Sequence, residues 1–361
     1  SQIGYVAQPE LLAEGTLAPN PVGSGPFRFS SHVPGQEWQF DRYEDYWRKG
    51  ADGQALPYLD QISFRPTPDD AKRLGDLERG DVDITYTFRP NEVLALRESG
   101  FKLVEYDLGE EEFLMMNTQA PPFDNRLARL AVGHAADSER FLAEMTRNVM
   151  QPANGPFAPG QLGYLADNGY PDYDLDEAKR LVAQYEAETG EPLAFTLLSV
   201  DDQLNISNHQ FFASLFEEAG MSVTIEGMPQ INLIAQAATG SYQMAAFRNF
   251  GFPDPDTDVV FWRPSSVQDP PLVSLNFPRF TDPRVGDAID RAVAATDDDE
   301  RDAAYQEVSR AFGEEVPYLW LGRTNWVLAA NPRVNGIYAA ANGSIQTLGA
   351  KTWIGELWLN A

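Results

Sequence analysis

Asp69-Asp-Ala-Lys-Arg-Leu-Gly-Asp-Leu-Glu-Arg-Gly-Asp-Val-Asp-Ile-Thr-Tyr86 changes its hydrophobic period halfway along. Before Gly80 the apolar residues Leu74 and Leu77 are three apart, which is helical spacing. Asp69 or Asp70 can cap the start of that helix, and Gly80 can end it. After Gly80 the period becomes two: Val82, Ile84 and Tyr86 alternate with polar residues, as on a half-buried strand. A second helix is predicted over 90–98, and Phe101-Lys-Leu-Val-Glu-Tyr106 reads as the next strand. Strand–helix–strand alternation of this kind predicts an α/β fold.

Working outward, the preceding stretch is β-rich. Pro26-Phe-Arg-Phe-Ser30 and Glu37-Trp-Gln-Phe-Asp41 alternate apolar and polar residues, Val33-Pro-Gly35 supplies a turn, and Leu59-Asp-Gln-Ile-Ser-Phe-Arg65 is a further strand. Downstream, 117–124 is an irregular Pro-rich crossing. Helices are predicted over 126–136, 138–147, 176–189, 207–219 and 231–239, and strands over 193–198, 221–226 and 242–247. The Gly-, Pro- and Asn-rich stretch 151–171 reads as a long surface loop. Amphipathic helices follow over 282–295 and 299–313, then strands over 317–322 and 326–330 that return to the first lobe.

Composition narrows the class. A chain of 361 residues suits two lobes better than one core, and 43 % hydrophobic residues mark a globular chain. No run of about 18 apolar residues is present. Cysteine is absent, which removes disulfides, thiolate metal sites and cysteine nucleophiles. The formal net charge of −27 repels phosphate backbones, so nucleic acid is not an expected partner.

Catalytic signatures are sparse. His32, His134 and His209 stand apart, without metal-ligand spacing. There is no Gly-x-Ser-x-Gly elbow and no phosphate-binding loop. Asp254 and Asp256 could form a carboxylate pair of the glycosidase kind, but Pro253 and Pro255 favour Asp side chains that cap the following turn.

Six motifs then occur in one order: Asn20-Pro-Val-Gly-Ser-Gly-Pro-Phe27, Tyr43-Glu-Asp-Tyr-Trp47, Gly80-Asp-Val-Asp-Ile84, Asn117-Thr-Gln-Ala-Pro-Pro-Phe-Asp124, Phe252-Pro-Asp-Pro-Asp256 and Glu314-Glu-Val-Pro-Tyr318. Together the chain resembles the family 5 bacterial extracellular solute-binding proteins, the oligopeptide-, dipeptide- and nickel-binding class that feeds ABC importers. The resemblance implies a two-lobed periplasmic-binding-protein-like α/β fold (type II, large cluster), with the N-terminal part of lobe I absent. Lobe I is expected over 1–114, lobe II over 115–321, and a C-terminal return to lobe I over 322–361. Hinge crossings are expected near 112–117 and 318–322.

The resemblance also implies the function. The chain would capture a small organic solute, peptide-like or oligosaccharide-like, and deliver it to ABC transporter permease subunits. It would work outside the cytoplasm, as a monomer, without cofactor or catalysis. It would touch the membrane only through an N-terminal lipid anchor in the absent segment. A secreted carbohydrate-active hydrolase using an Asp/Glu pair is the alternative.

Site residues follow from the same resemblance. Tyr86 and Phe88 end a strand that faces the cleft in the family; the alternative is packing in lobe I. Asn117 could bond the solute or lock its turn. In Phe247-Arg-Asn-Phe-Gly-Phe252, peptide-binding relatives carry an Asp that pairs with the peptide's α-ammonium, and Gly251 stands at that place. Arg248 could hold a ligand carboxylate or ring, or pair with a protein acid. Asn249, Phe250 and Phe252 complete the set, and Trp262, Trp320 and Trp326 are further aromatic candidates.

Overall fold

The computed structural model describes residues 7–15, 21–106, 110–250, 254–337 and 353–360. The chain divides into two compact units, one formed by Ser1–Tyr106 with Trp326–Ala361, the other by Asp107–Asn325.

The first unit carries two three-stranded antiparallel sheets. Phe27–Val33, Glu37–Arg42 and Gln61–Phe64 form a meander. Its register puts Phe29 opposite Phe40, and Trp38 opposite Phe64, so the aromatic residues share one face. That face is only partly covered among the described residues, with Phe64 50 % exposed. The second sheet places Trp326–Ala330 between Ile84–Thr87 and Lys102–Tyr106. Helix Asp70–Arg79 leads into it as the sequence predicts. The Asp69 side chain accepts from the Lys72 amide at 2.7 Å, and Gly80 closes the helix at a φ of 76° that only glycine adopts cheaply.

The second unit is built on a five-stranded sheet in the order 318–323, 110–116, 244–250, 194–200, 222–228. Ser222–Met228 and Met244–Phe250 run parallel to Ala194–Val200. Glu110–Met116 is antiparallel to both of its neighbours, Tyr318–Arg323 and Met244–Phe250. Alternate side chains enter two separate cores. Leu114, Met116, Leu197, Met244, Leu319 and Leu321 pack with helices 126–135, 175–189 and 203–218. Phe113, Met115, Leu198, Ala245, Tyr318 and Trp320 pack with helices 230–239, 283–294 and 298–315. A sheet buried on both faces explains why these strands read as almost continuous apolar runs.

Two expectations change here. Strand 318–323 does not return to the first unit; it pairs with Glu110–Met116, so both expected hinge crossings lie inside the second unit's sheet. The chain leaves that unit at Asn325, and only Trp326–Ala330 joins the first. The stretch 151–171 is not a simple surface loop. Phe157, Ala158 and Asn168 are buried, and Asn168 donates to the Asn154 carbonyl and the Ser309 hydroxyl at 3.0 and 3.2 Å.

Candidate functional site

In open α/β sheets, ligands gather at the carboxyl ends of the strands, where loops diverge. In the second unit that edge is formed by the ends of 194–200, 222–228, 244–250 and 318–323, together with the start of Glu110–Met116. Three consecutive acids, Glu110, Glu111 and Glu112, sit there. Strand pleating sends Glu110 and Glu112 to one face and Glu111 to the other.

On the first face, Arg248 lies opposite Glu112 in the strand register. Its guanidinium is 3.2 Å from Glu110 Oε1 and 3.4 Å from Glu112 Oε1, with the Arg248 side chain 27 % exposed. Burial works against its charge, yet Glu112 and Glu110 outweigh it and hold the guanidinium above its ordinary range. The structure therefore realises the protein ion pair for Arg248. Beside it, Ser199 Oγ is 2.7 Å from His209 Nδ1 in a buried pair. Burial pushes the imidazole down to about 4, against the pull of Asp202 and with help from Arg248. His209 is neutral at pH 7. Asp202 caps the helix Gln203–Glu218 by accepting from the Leu204 and Asn205 amides.

On the opposite face, Glu111 meets Arg323 at 2.9 Å, both buried. A register shift between Trp320 and Gly322 puts Arg323 opposite Glu111. Without that bulge Gly322 would stand there. Asn249 is across from Glu111 on the other neighbouring strand. Sequence reading missed the Glu110–Glu112 triplet, Arg323 and the Ser199–His209 pair. The signal available was the triplet itself, three acids heading an apolar strand.

Asn117 serves its turn. Its side-chain amide donates to the Gly240 and Tyr242 carbonyls, both at 3.1 Å, and its side-chain oxygen accepts from the Gln119 amide. Trp262 and Trp320 are core residues, 4 % and 1 % exposed. Asp254 caps the short turn Pro255–Thr257 and pairs with Arg301 at 2.7 Å, while Asp256 accepts from Tyr305. Gly251, Phe252 and the Phe250 side chain lie outside the described residues; the Phe250 backbone ends the strand Met244–Phe250.

The first unit brings a different group together. Tyr86 stacks on Trp326 with ring centroids 4.4 Å apart and planes within 9°. Phe88 tilts against the same indole at 4.6 Å. All three rings are half-buried, and Tyr86 and Trp326 also pack on the small core around Val104 and Leu328. Of the two alternatives for Tyr86, contact with solute and packing in the first unit, the structure shows the packing.

Because Glu110 is 2 % exposed, Arg248→Ala would leave two neighbouring carboxylates without their shared cation. It is expected to lower the unfolding free energy by about 2–3 kcal/mol at pH 7. Urea titration checks this, and an unchanged midpoint would show that the pair contributes nothing.

A two-core α/β unit with a charged carboxyl edge, joined twice to a smaller β-rich unit, defines the type II periplasmic binding fold. Solved structures share it. A periplasmic binding protein, DppA from Helicobacter pylori in complex with the peptide STSA, superposes with a TM-score of 0.83 at 23 % identity, over 97 % of this chain and 66 % of that one. AgaA from A. tumefaciens R10 in complex with agropinic acid gives 0.80 at 22 %, over 97 % and 70 %. The description bacterial extracellular solute-binding proteins, family 5 middle, matches residues 2–269, and the chain belongs to that family. A similar protein from Escherichia coli K12, the probable D,D-dipeptide-binding periplasmic protein DdpA, is 26 % identical over 328 residues, 90 % of this chain and 61 % of that protein. The chain spans about three fifths of the length of the curated relatives it matches.

Proposed function

We propose that this chain takes part in capturing a small organic solute outside the cytoplasm and delivering it to an ABC importer. The observation that carries the reading is the family match across residues 2–269. On the first unit, the aromatic group Tyr86, Phe88 and Trp326 is the proposed solute-contacting surface; on the second, Asn249 at the end of its strand is a separate candidate. Arg248 shapes that edge through its two glutamates. No helix among the described residues is long and apolar enough to cross a membrane. The glycosidase alternative loses its carboxylate pair to turn capping at Asp254 and ion pairing with Arg301.

Within this reading the solute is peptide-like or oligosaccharide-like, and it lacks a free ammonium. Gly251 offers no charge where peptide-binding relatives are expected to present an acid, so an α-ammonium buried there would be unpaired at a cost of several kcal/mol. Native mass spectrometry of the protein purified without refolding identifies a co-purified solute. Calorimetry with short peptides and an oligosaccharide panel tests the class. Unblocked dipeptides are expected to bind at least 100-fold more weakly than N-acetylated ones. Tight binding of an unblocked dipeptide, lost on acetylation, would overturn the proposal.

A further inference from the structure

A hollow of about 490 Å3 opens within the second unit, between helix Arg126–Ala135 and the segment 169–174 that lies against it, with Glu314 alongside. None of its lining residues belongs to the charged carboxyl edge described above. Its walls are held in place. The Asp174 amide donates to the His134 carbonyl at 2.8 Å, and His134 Nδ1 is 2.9 Å from the Asp172 carbonyl oxygen. A carbonyl only accepts, so Nδ1 carries the hydrogen and the neutral ring keeps Nε2 as an acceptor. Gly133 lets the segment press on the helix, because a β-carbon there would be 2.9 Å from Pro171 Cγ. The Tyr170 hydroxyl accepts from the Trp320 amide at 3.0 Å, which anchors that ring. Arg126 donates to the Glu314 carbonyl at 2.6 Å and pairs with Glu315 at 3.2 Å. The hollow is therefore formed in advance, and its volume is in the range of small-molecule sites.

Its lining combines rings with negative charge. Tyr170, Tyr173, Leu130 and Pro171 supply apolar surface, and Tyr173 is 44 % exposed. Three carboxylates, Asp172, Asp174 and Glu314, stand against the one guanidinium of Arg126. That guanidinium is already matched by Glu315, and Glu314 is matched by Arg284 at 2.5 Å. Asp174 caps the helix Leu175–Thr189 by accepting from the Glu177 amide and keeps its charge. The exposed Asp172 carboxylate makes no hydrogen bond or ion pair among the described residues. The chain's net charge of −27 adds to the field. An anion would be repelled here. A bare metal ion has no cage, since no three acids or histidines among the described residues come together as ligands. What fits is a positive charge carried on an apolar body, because the faces of aromatic rings attract cations and their carbon skeletons bury methyl groups.

We propose that the hollow between helix Arg126–Ala135 and the segment 169–174 is a binding site for a small organic ammonium. Tyr173 and Tyr170 receive the alkylated nitrogen, and Asp172 with Asp174 draws the charge in. His134 Nε2 accepts from a hydroxyl or N–H elsewhere on the ligand. The inference does not rest on the solute function proposed above, and its ligands differ from the peptides and oligosaccharides that test that function.

Calorimetry of the full chain at neutral pH and fixed low ionic strength tests it. The probes are choline and its uncharged analogue in which carbon replaces the nitrogen. Choline is expected to bind with a Kd of about 1 mM or tighter, and the uncharged analogue about tenfold more weakly or worse. Tyr173→Ala should weaken choline about fivefold, and Asp172→Asn about threefold, the scale of one exposed charge. Both positions are exposed, so both variants should fold, and circular dichroism checks that they do. Absence of choline binding up to about 50 mM, or equal binding of the uncharged analogue, would overturn the proposal. Equal choline affinity in the parent and both variants would place the ammonium elsewhere, the solute surface included, and would overturn it too.

Discussion

Lowering the pH from 7 to 4 is expected to cost the parent protein about 3 kcal/mol through His209 alone, a loss that His209→Gln escapes. The imidazole is 3 % exposed, and its Nδ1 is 2.7 Å from Ser199 Oγ. Burial holds it down at about 4, whereas in the unfolded chain it returns to 6.5. Between those values the unfolded chain binds the proton that the folded one refuses. Stability from this group is complete above about 6.5 and is lost as pH falls through about 4. Glu111 acts in the opposite sense over a similar window, since its folded carboxyl is raised. The parent can therefore show a shallow net pH profile that conceals two large terms. His209→Gln keeps a hydrogen-bonding partner for Ser199 and is expected to be somewhat less stable than the parent at pH 7, then to overtake it by pH 4. Urea titrations at pH 7, 5.5 and 4 measure the difference. A constant gap between parent and variant would show that the imidazole does not titrate against burial.

The second large effect is expected at Gly313. This residue lies in helix Asp298–Glu315, where the buried segment around Asn168 crosses it. A β-carbon there would run into the Asn168 carbonyl oxygen and would sit 2.9 Å from the Tyr170 amide nitrogen. These are backbone atoms, so no side chain can swing away. Gly313→Ala gains helix propensity worth about 1 kcal/mol, but the segment must lift from the helix. Lifting it would break the Asn168 bonds to Ser309 and the Tyr170 hydroxyl's bond to the Trp320 amide. The net loss is expected to exceed about 3 kcal/mol, among the larger single-residue effects, with limited proteolysis appearing within 151–171. Wild-type stability would mean that the segment is not held by this contact.

Much of this architecture was legible beforehand, for reasons visible in particular elements. The helix over 69–79 has its start, stripe and stop written locally as Asp69, Leu74 with Leu77, and Gly80. The strands over 193–198 and 221–226 appear, extended slightly, as Ala194–Val200 and Ser222–Met228. Capping by Asp254 was readable because Pro255 fixes the backbone that follows it. The site was less legible. Tyr86, Phe88 and Arg248 could be named as candidates, but Glu110, Glu112 and Arg323 could not be matched to partners. Arg323 is more than 200 residues away from Glu111 along the chain and faces it only because a bulge between Trp320 and Gly322 shifts the register.

By itself, then, the sequence determined the order and kind of the elements, the α/β class and the resemblance to solute-binding proteins. Those properties come from periodicity, caps and turn residues that act over a few positions. Only the tertiary structure decided which unit owns strand 318–323. An apolar strand does not specify its partner, and the pairing with Glu110–Met116 is settled by which two faces can be buried together. The same holds for the fate of Arg248. A guanidinium can serve a ligand or a neighbouring acid, and its place opposite Glu112 and beside Glu110 puts it between two protein carboxylates.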